Sequence, residues 1–269
     1  MNKLNRTQLL PDRPGIPPMA PMPEPEVVDP AALAAAYRQG EVDLICVLGP
    51  TASGKTRYAV QLAREMGNAQ ILSADSRQVY VGMDIGTGKD LREYGEVPYH
   101  LIDLVPAGTK YNIYQYQKAF ADAYAAVRAA GAIPILCGGS GLYIEAVTRA
   151  YKFEKENGLP ARELPGNVYY IGTLVSREER VARIDRRLEE RLQEGLVEEV
   201  RGLLETVSAQ DLLYYGLEYK FVTQYILGEL SYDDMVVALG NAIHQFAKRQ
   251  MTWFRGMERD GIRIHWVRP

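Results

Sequence analysis

One stretch, LICVLGPTASGKT at residues 44–56, constrains this chain more than any other. Five apolar residues run into G-x-x-x-x-G-K-[ST], and a helical pattern, RYAVQLAREM, starts directly afterwards. A strand, a glycine-bearing turn and a helix in that order build a cradle for phosphate. Gly49 and Gly54 let the backbone wrap closely enough for N–H groups to face an anion, at a helix N-terminus whose dipole favours negative charge. The expected cradle is Gly49, Pro50, Thr51, Ala52, Ser53, Gly54, Lys55 and Thr56, in which Lys55 supplies a mobile cation and Thr56 places its hydroxyl on Mg²⁺. A glycine-rich connection with no ligand would leave the flanking strand and helix as coincidence. The cradle does not choose a reaction, because hydrolysis, phosphoryl transfer and displacement of diphosphate all need the same neutralisation.

From Asp43 onward, apolar runs bounded by glycine alternate with helical periodicity, the pattern of βαβ units. LICVL, AQILSAD, HLIDLV, IPILC and VYYIGTLV are the expected strands, with helices over 55–66, 112–130, 141–150, 177–206 and 231–254. The fold expected is α/β, a P-loop nucleoside triphosphate hydrolase-like fold with a mostly parallel sheet flanked by helices and a helical C-terminal cap. Eight of the fifteen prolines fall within 11–30. Such a composition buries too little apolar surface to order itself, so residues 1–40 are expected to be a flexible tail and 41–269 the P-loop domain.

The net charge of −3 and pI near 5.8 exclude a protein coated in positive charge, so a polyanion must meet a local patch. Cys46 and Cys137 lie in apolar runs and read as packing thiols, without disulfide framework or metal cage. With no basic stretch preceding an apolar core and no apolar run of about 18 residues, the chain reads as soluble, cytoplasmic and monomeric, with no membrane partner.

Asp75 ends the second expected strand, with Ser76, Arg77 and Gln78 in the loop beyond, at the edge where open α/β sheets bind ligands. Asp75 could also merely cap the segment that follows it or hold the metal through water. Arg183 and Arg187, four apart, share a helical face, which could also be an exposed face laced by Glu179, Asp185, Glu190 and Glu194. Arg177, Arg180, Arg186 and Arg191 read as solvated. The glycines around Ser140 in CGGSGLY suit a tight strand-to-helix turn. In NAIHQFAKRQMTWFRG, Lys248 and Arg249 are interleaved with Phe246, Trp253 and Phe254, a pattern that stacks on unpaired RNA bases or simply buries its aromatics. His100 reads as a satisfied polar residue in a strand, and His244 and His265 have no Cys or carboxylate neighbours at metal-ligand spacing.

Taken in order, GPTASGKT, SADSRQVYVGMDIGTGKD, PYHLID, GGSGLY and AKRQMTWFR resemble the tRNA dimethylallyltransferase family, across most of residues 43–267. The resemblance implies transfer of a dimethylallyl group from dimethylallyl diphosphate to the exocyclic amine of the adenosine beside the anticodon of a tRNA. It makes residues 49–56 a diphosphate site with Mg²⁺ on Thr56, Asp75 the general base, and Thr51 and Arg187 catalytic partners of the diphosphate. The acceptor side would comprise Asp75, Ser76, Arg77, Gln78, Ser140, Lys248 and Arg249, and no redox cofactor would be needed. Where this chain has Ser140 the family usually has threonine, so a hydroxyl is retained. A departure lies after GGSGLY, where relatives carry a helical insertion of several dozen residues and this chain has only YKFEKENGLPARELPGN, whose residues 154–167 read as its remnant. Two other readings stay open. One is prenylation of a free adenine nucleotide; the other is a noncatalytic RNA-binding relative or a small-molecule P-loop kinase.

Overall fold

The computed structural model describes residues 23–149 and 163–269, so expectations for the tail up to residue 22, for Ala150 and for 154–162 lie outside the described residues. In chain order the elements are α1 (Pro30–Arg38), β1 (Leu44–Leu48), α2 (Lys55–Met66), β2 (Ala69–Ser73), β3 (Tyr80–Val81), a 3₁₀ turn (Leu91–Tyr94), β4 (Tyr99–His100), β5 (Val105–Pro106) and α3 (Ile113–Ala129). There follow β6 (Ile133–Gly138), α4 (Gly141–Thr148), β7 (Val168–Thr173), α5 (Arg177–Glu194), α6 (Leu196–Leu203), α7 (Ala209–Leu212), α8 (Leu217–Ile226), α9 (Tyr232–Arg259) and β8 (Ile264–Val267).

Six strands form one sheet in the order β4-β2-β6-β1-β7-β8, and every pairing in it is parallel. Strand side chains alternate between faces. Leu44, Cys46 and Leu48 pack with α3, α4 and the end of α9, whereas Ile45 and Val47 pack with α1 and α2. Burial on both faces is why these strands read as unbroken apolar runs. A third core joins α5, α6, α8 and α9 to Val79, Tyr80 and Met83, and this is the helical cap over the carboxyl edge of the sheet.

Local signals explain the element ends. Asn112 and Gln115 form a reciprocal capping box at the start of α3. Ser176 and Ser231 accept the N–H groups of Glu179 and Asp234 to start α5 and α9. The helix expected over 177–206 is two helices, because Gly195 takes φ +106° and ends the first.

The strand expected through HLIDLV is also broken. Tyr99–His100 joins the sheet, then Leu101 and Asp103 adopt positive φ, and Val105–Pro106 pairs instead with Tyr80–Val81. The physical reason is Lys89, 2% exposed, whose ammonium is satisfied by the Tyr80 carbonyl at 2.7 Å, Asp84 at 2.6 Å and Asp103. Placing Asp103 on that buried cation turns the chain out of the sheet. The tail boundary moves as well: Glu26 bonds the backbone of Trp266, and Leu33 and Ala34 of α1 are buried, so order begins before residue 40. β8, α7 and α8 were not anticipated from the sequence.

Candidate active site

The Gly49–Thr56 loop leaves the end of β1, and its tightness has identifiable causes. A Cβ on Gly49 would run into Thr173 Oγ1, and the fully buried Ser53 hydroxyl bonds that same oxygen at 2.6 Å. Ala52 and Gly54 take φ +60° and +85°, which folds the backbone around the start of α2. The Thr51 N–H donates to Gln250 Oε1 at 2.8 Å, while Gln250 Nε2 donates to the Gly139 carbonyl at 2.9 Å. One buried amide on α9 therefore couples the Gly49–Thr56 loop to the glycine turn after β6.

Three cavities border this loop, one of them on its outer side beside Gly54 and the other two on its inner side. A narrow chamber is bounded by Lys55, Thr56, Gly88, Cys137, Arg187 and Arg191. A wider groove of about 610 Å³ runs past Ser76, Arg77, Ser140, Tyr214, Phe246 and Arg249, a size that suits a small organic ligand. Thr51, Lys55, Asp75, Gly86, Thr87, Glu218 and Ile243 line both. Asp75 thus sits at the junction, and it also accepts the Arg77 N–H at 2.9 Å, so it caps its turn and faces both cavities. Ser140 Oγ accepts the Ser76 N–H at 3.0 Å and ties the glycine turn to the Asp75 loop. That loop lies close to the turn: a Cβ on Gly138 would strike the Ala74 carbonyl.

Burial lowers the pKa of the Lys55 ammonium, with Cys137 and Asp75 pulling it back up and Arg187 pushing it further down. The Cys137 thiol is pushed up to about 12 by burial, with Lys55 and Thr56 pulling it back. Glu218 has its carboxyl pKa raised by desolvation against opposing help from Arg191 and Arg187. Among the described residues no group of three or more His, Cys, Asp or Glu could hold a metal ion. Oxygen donors lining the chamber include the Thr56 hydroxyl and the carboxyl groups of Asp75 and Glu218, hard ligands that fit a cation carrying most of its shell as phosphate oxygens and water.

The expected site residues are distributed unevenly. Thr51, Lys55, Asp75, Ser76, Arg77, Ser140 and Arg249 come together around the groove, and Thr56, Ala52 and Arg187 around the chamber. Gln78 does not reach the groove; it is buried, bonding Ser73 Oγ and the Gly88 carbonyl in the chamber wall. Lys248 is exposed and lies outside the groove lining. Gly49 and Ser53 shape the loop from behind, and Gly54 lies on its outer side. Arg187 pairs with Asp90, from the loop before the 3₁₀ turn, and with none of the helix-face acids considered for it. Arg191, expected in solvent, is 7% exposed and bonded to the Ile85 carbonyl and Asp90. Its sequence signal was its register: Ile184, Leu188 and Arg191 form one buried stripe. Gln250 carries the same signal within Ile243, Ala247 and Phe254. Glu199 was missed too; its carboxylate accepts three successive N–H groups, of Asp84, Ile85 and Gly86, and the Tyr219 hydroxyl, clamping the loop that floors the chamber.

The IPP transferase family model matches residues 78–164 and 152–257. A tRNA dimethylallyltransferase 2 of Bacteroides fragilis is 44% identical over 84% of this chain and 93% of its own length. A tRNA dimethylallyltransferase 1 of Parabacteroides distasonis is 45% identical, over 84% and 92%. The crystal structure of the tRNA isopentenylpyrophosphate transferase of Bacillus halodurans superposes with a TM-score of 0.73 at 26% identity, covering 84% of this chain and 89% of that one. The first two alignments extend over 285 and 283 residues, more than the 269 present here, so several dozen positions of those relatives have no counterpart. With relatives this similar along most of its length, and a family model matched from Gln78 to Met257, the chain belongs to the IPP transferase family.

Proposed function

We propose that this protein transfers a dimethylallyl group from dimethylallyl diphosphate to the exocyclic amine of an adenosine next to the anticodon of a tRNA. The observation that carries this reading is the position of Asp75, a carboxylate lining both the phosphate chamber and the open groove. The amine of adenine is a poor nucleophile because its lone pair is delocalised into the ring. As its nitrogen bonds the allylic carbon, the C–O bond to diphosphate breaks with its electron pair, and Asp75 takes the amine proton. The departing diphosphate is neutralised by Lys55, Arg187, the Thr51 hydroxyl and N–H groups of the 49–56 loop, charges and dipoles fixed before reaction. Mg²⁺, held by Thr56 and phosphate oxygens, would supply further neutralisation.

Ser76, Arg77, Ser140 and Arg249 would receive an adenosine swung out of its loop, with exposed Tyr214, Phe246 and Trp253 at the groove as stacking surfaces. Residues 41–269 would act as one catalytic unit, in which 154–167 stand for the longer segment of relatives. That shortening supports a second reading, prenylation of a free adenine nucleotide by the same chemistry. The test offers unmodified tRNA, AMP and ATP in parallel to the full chain with labelled dimethylallyl diphosphate and Mg²⁺. Label on tRNA alone is expected; label on a nucleotide selects the second reading, and ATP hydrolysis without prenyl transfer removes both.

A further inference from the structure

Arg187 has a companion in the chamber. Arg191 lies one turn further along α5, and burying its guanidinium is costly unless anions or carbonyls receive it. One of its nitrogens donates to the Ile85 carbonyl and another lies 3.3 Å from Asp90 Oδ2. Arg187 donates to that same carboxylate oxygen. Two guanidiniums therefore share a single oxygen of one carboxylate, with Lys55 lining the same chamber. Asp75 and Glu218 also line the chamber, so what singles out the arginine pair is that two guanidiniums share one carboxylate oxygen and keep further N–H donors for the oxygens of a multiply charged anion.

The floor of the chamber makes the same point by shape. Gly88 takes φ +63°, and a Cβ there would collide with Nη2 of both Arg187 and Arg191. The two planar groups thus lie against bare backbone, held in a fork that matches phosphate oxygens. Glu199 fixes that floor through three N–H groups, so the Ile85 carbonyl that holds Arg191 is itself anchored. Asp90 is different: its side chain is 41% exposed and can turn to water at little cost.

We propose that Arg191 is a second diphosphate-binding guanidinium, acting beside Arg187, and that Asp90 is the resident anion that an incoming diphosphate displaces from the pair. This rests on the chamber being the diphosphate site. The Ile85 carbonyl keeps Arg191 in place through the exchange, while the freed donors of both arginines pass from one carboxylate to phosphate oxygens.

The experiment is calorimetric titration of the full chain with inorganic pyrophosphate and Mg²⁺. Arg191→Met keeps length and apolar packing, and is expected to raise the pyrophosphate Kd at least about tenfold. Arg191→Lys should fall between it and wild type, since a point charge replaces the fork. Asp90→Asn should bind pyrophosphate severalfold tighter, because the competing carboxylate is gone. An unchanged Kd in Arg191→Met overturns the role of Arg191, and an Asp90→Asn variant that binds no tighter overturns the displacement. Should Arg191→Met fail to fold, Arg191→Lys decides alone, with wild-type affinity counting against the proposal. A wild-type chain that binds no pyrophosphate instead removes the chamber reading itself.

Discussion

Replacing Asp75 by asparagine separates chemistry from architecture at the junction of the two cavities. Asparagine is nearly isosteric and keeps the oxygen that accepts the Arg77 N–H at 2.9 Å, so the turn after β2 survives. What it loses is the ability to take a proton at neutral pH. Removing a positioned base costs about 10²- to 10⁴-fold in rate, which is ~3 to 5 kcal/mol of barrier. Exchanging a charged acceptor for a neutral one in a single hydrogen bond costs only about 1 kcal/mol of stability. Activity should therefore fall far more than folding does. The assay is single-turnover prenyl transfer to unmodified tRNA at saturating donor, with pyrophosphate affinity and urea midpoint measured on the same samples. Asp75→Ala serves as the control, since it also strips the turn contact and should lose further stability at similar activity. An asparagine variant within threefold of the wild-type rate would refute the assignment of Asp75 as base. So would a rate loss matched by an equal loss of pyrophosphate affinity.

Gln250→Met should destabilise the protein by about 2 to 4 kcal/mol, because it orphans the Thr51 N–H and the Gly139 carbonyl in a buried place; an unchanged denaturation midpoint would refute the coupling. Arg249, exposed on the groove and 5.8 Å above the Phe246 ring, should contribute affinity for RNA without touching the chemistry. Arg249→Ala is expected to raise the KM for tRNA severalfold and to reduce the slope of log K against log salt by about 1, with kcat retained; a kcat effect at constant KM would contradict this. Alkaline pH should destabilise the fold through its thiols. Cys137 stays neutral up to about 12 when folded but ionises near its ordinary value of 9.0 when unfolded. Stability is therefore intact below pH 9 and lost as pH rises, by ~1.4 kcal/mol per unit for each such thiol. Cys137→Ala should flatten that decline in a pH series of thermal midpoints.

The parts of the molecule legible in the sequence are those set by local rules. The apolar runs LICVL and IPILC had to be strands buried on both faces, and the glycines between them and the next helices had to be turns. Helix α3 announces its start through Asn112 and Gln115, and α2 through the loop before it. Weaker texture misled. IHWV is too short to distinguish from a loop end until β7 offers it a partner, and HLIDLV reads as one strand until Lys89 draws Asp103 away. The proline count masked α1, whose Asp29 cap is local but whose buried Leu33 depends on contact with α2.

Sequence by itself determined the glycine loop after β1, the parallel sheet, the carboxylate at its edge and the family, because a contiguous motif carries its own geometry and neighbouring residues need no partner to declare it. Tertiary structure decided which charges line the chamber beside the Gly49–Thr56 loop. Arg191 and Lys248 look alike as basic residues on polar helices, yet one is buried against a carbonyl and a carboxylate and the other stands in water. Helical register hints at the burial of Arg191, but the position of its counter-ion is set by an element distant in the chain, here Asp90 some hundred residues away, and no local pattern encodes it.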